Sequence, residues 1–354
     1  MKTFMIPEQE AAVTTDEVDT PTPTGHEVLL RVTHAGVCHT DTHVQDGGYD
    51  LGTHGFLSMT SRGLTYPAVL GHETVGEVIA TGELVKDVRE GDIRLIYPWI
   101  GCGKCMACSS GDEHHCNDSQ AHGIFSPGGF AEAILARHEK YLINIDGLDP
   151  AWAATLACSG VTALSSAKKA LAYTSDNDTV VVVGAGGVGL MTIAVLKALG
   201  HYSIAAVDLR EENLSAARDL GATITVDSSK GSALKELRES AIGKVTAVID
   251  LVNNGTTVGM GFEALDRGGT LIHVGLFGGE FPLPTALVAI KTLVLQGNYV
   301  GSLADLEKVV ELAKQGRVPK IPIVAGSLNV EGINAGLRSL RDGTVAGRTV
   351  LSPS

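Results

Sequence analysis

The stretch that most narrows the folds open to this chain is Thr179–Gly189. Thr179-Val180-Val181-Val182-Val183 runs apolar and β-branched without alternation, the pattern of a strand buried on both faces. It leads straight into Gly184-Ala185-Gly186-Gly187-Val188-Gly189, a G-x-G-x-x-G with Gly184, Gly186 and Gly189 at the fixed positions. Leu190–Leu199 then reads as a helix and Ser203–Val207 as a second strand, ended by Asp208, 19 positions after Gly189. Alone, such a glycine motif is weak evidence. In this order it predicts a βαβ unit that binds a dinucleotide. The glycines, with Gly187 and Val188 between them, allow close backbone approach to a pyrophosphate, the start of the following helix faces its charge, and the acid takes the ribose hydroxyls. A carboxylate at Asp208 repels a 2′-phosphate, so NAD is expected rather than NADP. Arg210 stands close enough to contact the adenosine without removing that repulsion. Further apolar runs at Ala222–Val226, Val245–Val252 and Gly269–Leu276, with helical stretches between them, complete a doubly wound parallel sheet.

The cysteines say what the rest of the chain does. There are six: Cys38, Cys102, Cys105, Cys108, Cys116 and Cys158. Disulfide frameworks belong mainly to small secreted chains, and four of these six sit at metal-ligand spacing, Cys102-x2-Cys105-x2-Cys108-x7-Cys116. Four thiolates can wrap one tetrahedral zinc and leave no position open, which makes that site structural; an iron–sulfur cluster is the competing occupant. The other two cysteines flank a second candidate centre. Gly36-Val37-Cys38-His39-Thr40-Asp41-Thr42-His43 concentrates ligand and proton-carrying groups at the end of a strand expected over Val28–Val37, and Gly71-His72-Glu73 and Cys158 follow later. Cys38, His72 and Cys158 would supply two sulfurs and one nitrogen, with a fourth position open for water or substrate, the ligand arithmetic of a catalytic zinc. Two zinc ions would then use every cysteine, which implies a reducing, cytoplasmic setting.

Taken together, the G-V-C-H-T-D-x-H run, the G-H-E, the four-cysteine cluster and the dinucleotide fingerprint occur in the order found in one family. Over nearly its whole length the chain resembles the zinc-dependent medium-chain alcohol dehydrogenases. The resemblance implies an α/β protein with a Rossmann-type doubly wound domain and a mainly β, GroES-like catalytic domain. It implies NAD-dependent, reversible oxidation of an alcohol to an aldehyde or ketone. Thr40 and His43 match the proton relay, Asp41 a carboxylate that orients His72, and Glu73 an acid behind the zinc, either a transient fourth metal ligand or a buried neighbour of the ligands. His39 and Arg348 match contacts to the cofactor pyrophosphate, Thr162 and Val274 neighbours of the nicotinamide, and Trp99 a pocket wall. Thr40 in place of a smaller serine leans toward primary alcohols, and Trp99 could face an aromatic or furan-like ring. A homo-tetramer is expected, with a dimer second.

Length and charge set the remaining bounds. At 354 residues the chain is long for one core. The expected division is 1–150 for the catalytic domain with both zinc sites, 151–292 for the NAD domain, and 293–354 for a return to the first domain, with Leu293–Gly301 as the returning strand. A formal charge of −13 argues against nucleic acid or an anionic membrane as partner, leaving a small-molecule substrate. Neither a signal-peptide core nor an apolar run long enough to span a bilayer is found. Between Cys38 and His72 the chain is longer than the resemblance implies, the extra material lying at 49–65, which either borders the pocket through residues such as Phe56 and Met59 or forms a surface loop. Two other readings are open: a zinc-free quinone or enone reductase, which would have lost the ligands present here, and a zinc-stapled NAD-binding protein without turnover.

Overall fold

The computed structural model describes residues 1–353. Its middle section is a six-stranded parallel sheet. In space the strands run Ile224–Asp227, Ile204–Asp208, Thr179–Val183, Val245–Asp250, Thr270–His273 and Val294–Gly297. The chain builds outward from Thr179–Val183 in one direction and then in the other. The order reverses beside that strand, where doubly wound sheets place their ligand crevice. Every residue of Thr179–Val183 is buried, as its unbroken apolar run predicts. Gly187–Ala198 is the helix after the glycine turn. Gly189 has to be glycine: a Cβ there would lie 1.9 Å from the carbonyl oxygen of Gly184.

The boundary expected at 292 cuts this sheet before its last strand. Val294–Gly297 pairs in parallel with Thr270–His273 and closes the dinucleotide sheet, so it is not a return to the first domain. It is an edge strand with alternating half-buried and exposed residues. That period-2 pattern is shared with antiparallel strands, and only the pairing separates the two. The crossing comes later. Ser302 and Asp305 cap the helix Leu303–Lys314 reciprocally, Ser302 Oγ accepting from Asp305 N at 3.1 Å and Asp305 Oδ2 from Ser302 N at 3.1 Å.

The second sheet joins the two ends of the chain. Its order is Leu142–Asn144, Ile93–Ile96, Glu73–Thr81, Val28–Val37, Arg348–Ser352 and Ile323–Ser327, with Ala133–Ala136 also paired to Val28–Val37. Val28–Val37 is central, flanked antiparallel by Glu73–Thr81 and Arg348–Ser352. Register sets Gly36 opposite both Glu73 and Val350. Three segments far apart in sequence therefore deliver Cys38, Glu73 and Arg348 to one spot. The helix Ser159–Leu171 packs on Gly187–Ala198 and links the two sheets, with Cys158 as its N-cap.

Candidate active site

The first ligand segment is held by its own helix cap. Val28–Val37 ends at Cys38, and His39–Asp46 is helical. Asp41 is fully buried and divides its oxygens among three groups: Oδ2 accepts from Cys38 N at 2.8 Å, while Oδ1 accepts from Gly71 N at 3.2 Å and lies 3.3 Å from Nδ1 of His72. One carboxylate thus fixes the backbone at Cys38 and at Gly71, the residue before His72, and sets the imidazole. Burial by itself would depress the His72 pKa, but the charges of Asp41 and Cys38 push it well above the ordinary value.

Cys38, His72, Glu73 and Cys158 are all buried, with ligand atoms within 4.8 Å of one another. The two sulfurs are 3.9 Å apart, close to the edge of about 3.8 Å that two zinc–sulfur bonds of about 2.3 Å make in a tetrahedron. Nε2 of His72 is buried and has no hydrogen-bond partner, a costly arrangement for an imidazole nitrogen that is not a ligand. The donor set fits a zinc ion. Hydrogen bonding to Cys158 and the Arg348 and His72 charges hold the Cys38 thiol well below its usual range, while the Cys158 thiol is driven up by that same contact and by burial.

Glu73 is engaged elsewhere. Arg348 grips both of its oxygens, Nε to Oε2 at 2.9 Å and Nη2 to Oε1, with both side chains almost wholly buried. Ser159 Oγ lies 3.4 Å from Oε1. Gly36 makes room, since a Cβ there would fall 2.1 Å from Oε2. Arg348, expected at a pyrophosphate, has a carboxylate partner inside the protein. Its guanidinium still borders the glycine turn, Nη1 lying 3.4 Å from the Cβ position of Gly187.

The cleft beside the two sulfurs brings most of the remaining expected residues together. Cys38, His39, Thr40, His43, Trp99, Cys158, Thr162, Val188, Val274 and Arg348 line one cavity of about 110 Å³. Thr40 and His43 are half-buried on one face of the short helix. Burial lowers the pKa of His43 and of His39 below the ordinary 6.5, leaving both neutral at neutral pH. His39 sits 5.1 Å from the Phe277 ring. Away from this cavity, Asp208 already holds the glycine turn: Oδ2 accepts from Ala185 N at 2.7 Å, and Oδ1 from Arg210 N at 3.0 Å and Asn213 Nδ2 at 3.1 Å. Arg210 directs its guanidinium at Glu212, 3.6 Å away, and at the carbonyl of Gly343.

Sequence reasoning missed two aromatic walls. Tyr49 lies 5.0 Å from the His43 ring, and Tyr299 meets Trp99 edge-on at 5.9 Å. Tyr49 belongs to the extra segment, a hairpin of Gly48–Asp50 and Phe56–Ser58. That segment reaches the cavity through Tyr49, not through the residues singled out: Phe56 is 54% exposed, and Met59 is buried in the core at 2%. The hairpin tip crosses to the other sheet's loops, where Thr53 Oγ1 donates to Glu280 at 2.7 Å and Gly279 N to Asp50 O at 3.3 Å. No local signal marks Tyr299, whose position follows from the sixth parallel strand.

The four-cysteine lobe is a separate centre. Its ligand atoms also lie within 4.8 Å of one another, with Cys105 Sγ 3.5 Å from that of Cys108 and 3.7 Å from that of Cys116. Backbone N–H groups of Lys104 and Cys105 lower the Cys102 thiol to about 7. Glu113 locks the lobe to the body, accepting from Gly101 N at 3.3 Å, Lys140 Nζ at 2.7 Å and the Tyr141 hydroxyl.

Comparison with known proteins agrees with this architecture. Residues 24–147 match the alcohol dehydrogenase GroES-like domain, and residues 187–315 match the zinc-binding dehydrogenase domain. An NAD-dependent alcohol dehydrogenase of Sulfurisphaera tokodaii is 34% identical over 340 residues, 96% of each chain. A D-arabinose 1-dehydrogenase (NADP(+)) of Saccharolobus solfataricus is 32% identical, over 96% of this chain and 93% of that one. The crystal structure of the alcohol dehydrogenase from Aeropyrum pernix superposes with a TM-score of 0.90 at 32% identity, covering 100% of both chains. The chain belongs to the zinc-dependent medium-chain alcohol dehydrogenase family and is an oxidoreductase of that type.

Proposed function

We propose that this protein oxidises a primary alcohol reversibly to its aldehyde with NAD, at a zinc site made by Cys38, His72 and Cys158. The observation that carries the reading is the convergence of those three buried ligands beside a cavity that also reaches Thr162, Val188 and Val274. When bound, zinc supplies a Lewis acid that stabilises negative charge on the substrate oxygen, and NAD supplies the hydride acceptor. The chain's own residues do the rest. Thr40 takes the hydroxyl proton and His43, neutral at working pH, passes it toward solvent. Asp41 orients His72, and Glu73, neutralised by Arg348, stands behind the ligands and gives the site its charge balance. Gly184, Gly186, Gly187, Val188 and Gly189 face the pyrophosphate, with His39 and Arg348 beside them, and Asp208 and Arg210 take the adenosine end.

A second zinc in the four-cysteine lobe serves structure. Residues 1–150 and the closing section from 298 on form the catalytic unit, and the section between them the NAD unit. The tetramer is the assembly we assign, in a cytoplasmic setting, and no nucleic acid or membrane partner is assigned. Tyr49, Trp99 and Tyr299 surround the space for the organic group, which favours flat, aromatic or furanic alcohols over polyols. Initial rates of NAD reduction by zinc-replete protein across short aliphatic, secondary, benzylic and furanic alcohols and an aldose test this. Benzylic or furanic alcohols should lead. An aldose in the lead would refute the substrate reading, and no turnover with any of them would refute the activity.

A further inference from the structure

We infer that Trp99 is a positioning residue for the metal ligands, besides forming a wall of the pocket. This rests on the three-ligand site proposed above. The indole N–H of Trp99 donates to the carbonyl of Ala157 at 3.0 Å, and both residues are buried. That carbonyl belongs to the peptide group whose nitrogen is Cys158 N. Pinning its oxygen fixes the peptide plane and so places Cys158 N and Cα; at the φ of −122° that Cys158 adopts, this sets where its Cα–Cβ bond leaves the backbone. The plane needs a hold. Thr155–Ala157 is a single tight turn, and Cys158 stands at φ −122°, ψ −64°, outside both helix and strand, before the helix Ser159–Leu171 begins. The same indole meets the His72 ring at 5.4 Å with a 55° tilt. One side chain therefore restrains two of the three ligands.

Trp99 is itself restrained from both sides. Tyr97 donates its hydroxyl to Gly301 O at 2.8 Å. Pro98 O accepts from Ile100 N and from His122 N, each at 3.0 Å, and Ile100 O accepts from Gln120 N at 2.8 Å. Gly101 N is taken by Glu113, inside the four-cysteine lobe. The lobe thus anchors the segment that carries Trp99. Groups that hold metal ligands from behind contribute about 10- to 100-fold to metal affinity when tested by substitution.

The test removes the N–H and keeps the ring. Trp99→Phe is one variant. The second carries at position 99 the tryptophan isostere with sulfur in place of the indole N–H, which keeps the ring's size and so the packing. A Tyr299→Leu variant opens the same pocket without touching a ligand. Each is loaded with cobalt, its thiolate–cobalt absorption recorded, and the loss of metal to a chelator timed. Both changes at position 99 should speed loss from the three-ligand site by about 10- to 100-fold and shift its absorption, leaving the tetrathiolate metal in place. Tyr299→Leu should raise KM alone. An isostere that holds cobalt with wild-type kinetics and absorption overturns the inference, as does equal acceleration in Tyr299→Leu. Wild-type protein that takes cobalt only in the four-cysteine lobe overturns the three-ligand site and this inference with it.

Discussion

At the residue scale the site works by giving similar groups different surroundings. Asp41 and Glu73 are both buried carboxylates, yet Asp41 is spent on two backbone N–H groups and an imidazole, whereas Glu73 is spent on a guanidinium. Cys38 and Cys158 are neighbouring thiols pushed in opposite directions. His43 is the residue with a direct kinetic signature. Because burial lowers its pKa below 6.5, it accepts protons at neutral pH and loses that capacity as pH falls through its own pKa. His43→Ala should reduce kcat by about 100-fold, in the range for one lost proton carrier, and abolish the acid limb of the pH–rate profile. Added imidazole should restore part of the rate, and an unchanged profile would remove His43 from the relay. At Asp208, substitution by Ala removes the charge that repels a 2′-phosphate. The ratio of kcat/KM for NAD over NADP should then fall by at least tenfold in paired assays.

At the element scale, two appendages shape the cavity from outside the main sheets. The Gly48–Ser58 hairpin presents Tyr49 inward while Thr53 holds Glu280 on the opposite unit. Tyr49→Ala should raise KM for a benzylic alcohol by about tenfold, the equivalent of one aromatic contact of about 1.4 kcal/mol, and leave KM for ethanol nearly unchanged. Equal effects on both alcohols would make the hairpin a scaffold and not a selector. The four-cysteine lobe, clamped by Glu113, has its own signature. Cys105→Ser should lower the metal content by one ion per chain and reduce Tm, while NADH fluorescence still reports binding, because the parallel sheet shares no strand with the lobe. This comparison needs only metal analysis and a melting curve.

For the whole molecule, stability carries a readable pH dependence. His122 is 3% exposed, donates its Nδ1–H to Pro127 O over 2.9 Å, and is lowered to about 4, chiefly by burial. Its folded pKa lies below the unfolded value of 6.5, so between the two the unfolded chain binds more protons and stability rises with pH. The contribution is complete above pH 6.5 and is lost as pH falls toward 4, with a ceiling of about 3 kcal/mol from about 1.4 kcal/mol per unit. Burial lowers His34, His39, His43 and His273 in the same direction. Wild-type Tm should therefore drop over this window, and His122→Asn should flatten part of the slope. A slope that survives intact in the variant would assign the acid sensitivity to the other histidines.

What the sequence alone determined is what neighbours in the chain can determine. Strand, glycine turn and helix around Gly184–Gly189 follow from local sterics and hydrophobic period, and the Cys102–Cys116 spacing brings four thiols together within one loop. The candidate ligands Cys38, His72 and Cys158 were legible because few residue types bind zinc. Tertiary structure alone decided the partners. Arg348 meets Glu73 across 275 positions because two strands flank Val28–Val37, a pairing that no local pattern encodes. Val294–Gly297 looks like any half-exposed strand until it pairs, and its pairing moves Tyr299 to the pocket. Tyr49 and the Trp99–Ala157 hydrogen bond likewise exist only once distant segments pack. Covalent neighbours fix conformation through short-range sterics, while contacts between distant residues depend on which surfaces the fold buries against each other.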